Sequence, residues 1–138
     1  IPILNMLQET VNEIKKIKPD AKKVGLLATR GTVEAGLYDH YITDAGYEEV
    51  KPTPEIVDMT EDLIYHDIKE GGHSDGKKYH ELVRRMIEEE GADIVILGCT
   101  ELSYAEEMNP ETTYPVADSQ SIIVDRSLEK GLALRKNN

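Results

Sequence analysis

Ala92-Asp93-Ile94-Val95-Ile96-Leu97-Gly98-Cys99-Thr100-Glu101 is the stretch on which the fold turns. Residues 92–97 form an almost unbroken apolar run, rich in β-branched side chains and closed by a glycine. A strand with one wet face would alternate, whereas a continuous run of this length suits a strand covered on both faces of a parallel sheet. Residues 23–28 (KVGLLA) have the same character. The longer segments between and around these runs are amphipathic with helical spacing, the pattern of βαβ units.

Outward from those two strands the remaining elements follow. Residues 1–4 read as a short strand. Leu7, Val11, Ile14 and Ile17 recur at helical spacing, which predicts a helix over 6–17, ended near Pro19. Gly31-Thr32 opens a helix to about Ala45, with Gly46 as its C-terminal glycine. A weaker strand spans 48–52, and Thr53-Pro54 supplies a capping hydroxyl and a first-turn proline for the next helix. Helices are expected at 54–69 and 77–90, separated by the loop 71–76. A last strand covers 115–117 and a last helix 120–134, with Ile122, Ile123, Leu128 and Leu132 on its apolar side. The fold class is α/β, with a parallel four-stranded sheet flanked by helices.

One internal echo bears on organisation. Ile1-Pro2-Ile3-Leu4-Asn5 and Tyr114-Pro115-Val116-Ala117-Asp118 share a pattern of proline, apolar pair, then Asn or Asp, each followed by a long helix. The second closes a set of strands and the first has no such set before it. The expectation is that residues 1–20 are the tail end of a first repeat, 21–118 a second domain, and 119–138 a C-terminal helix.

With 138 residues and 39% hydrophobic side chains the chain can build one core. No apolar run is long enough to span a membrane, and no secretory leader is evident, so a soluble cytoplasmic protein is expected. A net charge of −11 repels phosphate backbones, which argues against nucleic-acid binding. One cysteine excludes an intrachain disulfide or a Cys-rich zinc site, and His40, His66, His73 and His80 show no paired metal-ligand spacing. No metal is expected.

Three segments can carry chemistry. Cys99 follows directly on the best strand, at the carboxyl edge where ligands collect in open α/β sheets. A helix starting near Leu102 or Ser103 would favour its thiolate and lower its pKa, with Thr100 and Glu101 supplying a hydroxyl and an acid or base beside it. The plain alternative is a small buried hydrophobe. Thr29-Arg30-Gly31-Thr32 occupies the matching place after the first buried strand. Gly31 would let a ligand approach the backbone, and Thr29 and Thr32 offer hydroxyls suited to a carboxylate; an ordinary helix cap is the other reading. Arg30 either pairs with an anion or is solvated. Lys69 stands at a helix end before Gly71-Gly72, where a lysine commonly answers the helix dipole.

Together, Gly25-Leu26-Leu27-Ala28-Thr29-Arg30-Gly31-Thr32, Ile68-Lys69-Glu70-Gly71, Gly98-Cys99-Thr100-Glu101 and Pro115-Val116-Ala117-Asp118 resemble the aspartate/glutamate racemase superfamily, in order and spacing. The resemblance implies two pseudo-symmetric α/β domains, each with one cysteine, facing across a cleft. One thiolate removes the α-proton of an amino acid and the opposed thiol reprotonates the other face, with no cofactor. It makes Cys99 the second-domain cysteine and gives Thr29, Thr32 and Thr100 to the substrate's carboxylate or amino group. Lys69 matches a lysine that pairs with a substrate carboxylate in aspartate-type members. It also implies a homodimer.

The sequence given departs from that pattern in one large respect: the Pro-Cys-Asn-Thr-like loop and first domain, expected before residue 1, are not in it. A fragment inactive alone is therefore expected. Other enzymes of the superfamily (hydantoin racemase, maleate isomerase, arylmalonate decarboxylase types) and a non-catalytic carboxylate-binding module are the competing readings.

Overall fold

A computed structural model describes residues 6–36, 38–70 and 76–118, with the side chains of Met6 and of residues 67–70 left aside. The strand expected at 1–4, most of the loop at 71–76 and the helix expected at 120–134 lie outside the described residues, as does the first half of the internal echo.

The elements are α1 (Met6–Ile17), β1 (Lys23–Leu27), α2 (Arg30–Ala35), α3 (Asp39–Asp44), β2 (Glu48–Val50), α4 (Pro54–Asp62), α5 (Gly76–Arg84), β3 (Ile94–Leu97), α6 (Thr100–Met108) and β4 (Val116–Asp118). α4 continues in wider, π-type turns over Leu63–Glu70, and α5 over Arg85–Glu89. The four strands are parallel in the order β2-β1-β3-β4, so the two strands read from their apolar runs are the central pair. None of the described helices is long and apolar enough to cross a membrane.

Both faces of the sheet are covered, and the side chains divide between them with a period of two, as the pleat requires. Val24, Leu26, Ile94, Ile96 and Ala117 face one layer with Val11 and Ile14 of α1 and Ile42 of α3. Leu27, Val95 and Leu97 face the other with Ile56, Leu63, Leu82, Met86 and Leu102 from the second set of helices. This is the physical reason the central runs carry no polar alternation.

Caps set the helix starts. Thr53 is extended and its hydroxyl accepts the Ile56 N–H at 3.3 Å, with Pro54 in the first turn. The helix expected from Gly31 to Ala45 is instead two short helices. Gly36 adopts φ 65°, a left-handed conformation, and its N–H bonds to the Val33 carbonyl, so α2 ends there. Apolar residues continue at helical spacing across this break, which is why periodicity alone joined the two pieces. Gly46 (φ 93°) turns the chain after α3, as its position suggested. The second strand is shorter than expected, ending at Val50.

Candidate active site

Two loops leave the sheet side by side. β1 and β3 are in register with Leu27 opposite Leu97, and the Gly98 N–H donates to the Leu27 carbonyl at 2.8 Å. Thr29 and Cys99 each stand two residues beyond that paired position. The sequence-predicted segments after the two buried strands are thus neighbours at the carboxyl edge. Leu97 is also paired with Asp118, which brings the end of β4 to the same edge.

Cys99 is extended (φ −148°, ψ 160°) and is the N-cap residue of α6. The helix expected to begin near Leu102 or Ser103 begins at Thr100, so Thr100 and Glu101 lie in its first turn. The Ser103 N–H closes that turn on the Cys99 carbonyl at 3.2 Å. Cys99 itself is half-buried against the core that holds Leu97 and Leu102.

The expected lowering of the thiol pKa does not occur. Burial pushes the Cys99 thiol up to about 11. The backbone N–H groups of Leu102 and Glu101 pull the other way, more weakly, and the Cys99 side chain makes no capping hydrogen bond to α6. The Glu101 carboxylate adds to the rise through its charge and through hydrogen bonding with the thiol. Desolvation of the charged form outweighs the helix terminus here, so the resting group is a thiol.

Thr29 is the N-cap of α2. Its Oγ1 accepts the Thr32 N–H at 3.4 Å, and the Thr29 and Thr32 hydroxyls lie 3.0 Å apart. The capping role is therefore met, and both hydroxyls stay together at the edge. Gly31 is exposed without a positive φ, and a Cβ built there meets nothing within 4 Å. Arg30 turns away from the edge toward α4. Its guanidinium pairs with Asp58, and its backbone N–H donates to Glu61 Oε1 at 3.0 Å. Asp58 raises the Arg30 pKa, and the side chain is committed to that ion pair.

Lys69 lies in the Leu63–Glu70 stretch, which packs against α6, the helix capped by Cys99. Its side chain is outside the described residues.

Two residues escaped the sequence reading. Ser103, buried in the first turns of α6, donates its O–H to Asp118 Oδ1 at 2.5 Å. The internal echo marked Asp118, but nothing in the sequence joined it to Ser103. On the outer strand β2, Glu49 was also missed. Its carboxyl is pushed up to about 7, chiefly by burial and then by Asp39, while Lys51 holds Asp39 at 3.0 Å. Folding thus favours protonated Glu49. Its contribution is complete below about pH 4.5 and is lost as pH rises through about 7. Glu49→Gln is expected to raise Tm at pH 8 and to give no gain at pH 5, in thermal melts followed by circular dichroism. A gain independent of pH would refute the assignment.

A model of the Asp/Glu/hydantoin racemase family matches residues 1–126. The chain belongs to that family. An aspartate racemase homologue from Pyrococcus horikoshii OT3 is 29% identical, with a TM-score of 0.73 over 94% of this chain and 56% of its own. A candidate Asp/Glu racemase from Yersinia pestis is 25% identical, with a TM-score of 0.75 over 96% and 57%. The aspartate racemase of Picrophilus torridus is 28% identical, with a TM-score of 0.57 over 84% and 47%. The chain thus spans about half the length of these racemase-family proteins.

Proposed function

We propose that this chain is one half-site of a cofactor-independent racemase for an acidic amino acid, aspartate or glutamate, with Cys99 transferring the α-proton on one face of the substrate. The observation that carries the reading is the place of Cys99, at the end of a central strand and the head of α6, beside the Thr29–Thr32 turn of β1. Family membership supplies the reaction type that such a thiol would serve.

Inversion at Cα removes a proton from one face and delivers one to the other, through a planar carbanion. A thiolate takes the proton and becomes a thiol, and an opposed acid donates to the far face and becomes the conjugate base. Both groups must sit on fixed supports with tuned pKa values. In this reading Thr29, Thr32 and Thr100 hold the substrate's carboxylate or amino group, with room at Gly31. Lys69 pairs with the side-chain carboxylate, and Glu101 exchanges a proton with Cys99. The chain has one cysteine, so the opposed group belongs to the half of the racemase fold that this chain does not span. The same reading takes residues 1–20 as the end of the first repeat, 21–118 as the second domain and 119–138 as a helix packing toward the first. It takes the whole protein as a cytoplasmic homodimer.

Two measurements test this. With L-aspartate or L-glutamate in heavy water, the chain alone is expected to give no racemisation by circular dichroism. Turnover like that of an intact racemase would refute the half-site. Either amino acid is expected to protect Cys99 from alkylation near pH 10; equal labelling with and without both would remove the substrate assignment.

A further inference from the structure

The first turn of α6 is tied down at one buried point. Ser103 is 8% exposed, and its hydroxyl oxygen lies 2.5 Å from Asp118 Oδ1 and 3.3 Å from the Cys99 carbonyl oxygen. A hydroxyl has one proton to give, and a carboxylate is the stronger acceptor. The bond therefore runs from Ser103 to Asp118, leaving the Cys99 carbonyl to the Ser103 N–H. A serine inside a helix ordinarily bonds back to the carbonyl four residues earlier; here the carboxylate draws it across to another element.

The link closes a circuit. The chain leaves β3 at Leu97, passes through Cys99 and turns into α6. Ser103 then returns it to Asp118, the residue paired with Leu97. A first turn anchored at both ends of such a circuit has little freedom to rotate about Cys99. Its leading N–H groups, those of Glu101 and Leu102, favour the thiolate weakly without making a capping hydrogen bond to the sulfur.

We infer that Ser103 and Asp118 are positioning residues for Cys99, with Asp118 acting through the Ser103 hydroxyl to hold the first turn of α6, and with it Cys99, fixed at the edge of the sheet. This rests on the reading of Cys99 as the proton-transfer group and extends it to the residues that hold the thiol in place.

The test is the pH profile of Cys99 alkylation by iodoacetamide in the full chain, measured from pH 7 to 11 with thermal melts alongside. Ser103→Ala frees the turn, so the thiolate loses N–H support and the profile moves to higher pH. A half-unit move slows labelling at fixed pH by about threefold. Ser103→Thr keeps the hydroxyl and restores the profile. Asp118→Glu, which keeps the charge but misplaces the carboxylate, moves it the same way by less. A Ser103→Ala profile that is unchanged or moved to lower pH overturns the inference, whatever happens to Tm. If that variant fails to fold, an Asp118→Glu profile identical to the parent's does the same. The proton-transfer reading fails separately: aspartate and glutamate would not protect Cys99, while the Ser103→Ala shift persisted.

Discussion

Iodoacetamide is expected to label Cys99 about a hundredfold more slowly at pH 8 than it labels an ordinary free cysteine. The thiolate is the reacting form, and the thiol pKa stands at about 11 where its ordinary value is 9.0. The difference is two units, each about tenfold in thiolate at pH 8. The rate should climb about tenfold per pH unit up to the region of pH 11 and then level off. Cys99→Ser should abolish labelling, because the chain has no other thiol. Labelling at pH 7 as fast as that of free cysteine would show that the sulfur does not sit in its buried setting. The result also bears on catalysis. A thiol held this high is a proton donor at neutral pH, not a base. On the proposed reading, abstraction of a proton by Cys99 would need a cation brought close to the sulfur, or removal of the influence of Glu101. Without either, the proposed racemisation would use Cys99 on its reprotonating side.

Gly98→Val should cost about 3 kcal/mol and lower Tm by roughly 10 °C. A Cβ at Gly98 would lie 3.1 Å from both Ala28 Cβ and Leu26 Cδ1 and 3.3 Å from the Leu27 carbonyl oxygen. That oxygen is the acceptor for the Gly98 N–H, so it has little freedom to retreat. Valine adds two methyl groups in a place where even the first carbon is crowded. The penalty falls on the junction of β1 and β3, the one that sets Thr29 beside Cys99. Gly31→Ala is the internal control, since its Cβ enters open space and Tm should be unchanged. Equal stability of the two variants would mean that the two strand ends are not packed as described.

What the sequence disclosed, and what it withheld, follows physical lines. The central strands could be read because burial on both faces leaves an unmistakable apolar run at 23–28 and 92–97. The end of helix 6–17 could be read to the residue, since its apolar stripe is regular and Pro19 follows closely. The break at Gly36 could not, because a single left-handed residue barely disturbs an apolar period. For the site, location was legible and ionisation was not. A cysteine after a strand declares its edge of the sheet, but desolvation of the sulfur depends on Leu97, Leu102 and the side chains packed around them, which only the folded chain assembles. Arg30 shows the same limit, since its partner Asp58 comes from another helix. So does Ser103 of α6, whose partner lies on β4.

The packing of α1 has a consequence for the order in which the molecule can be completed. Val11 and Ile14, from the first described helix, share a core with Ala117 on the last described strand, and α1 packs directly against β4. Contacts between such distant parts of a chain are slow to form, because the whole intervening loop must be closed first. On the ribosome, α1 emerges before β4, and the part of its apolar stripe that β4 covers stays open until then. A stalled or shortened nascent chain would therefore expose that stripe, and it is there that a chaperone would be expected to bind.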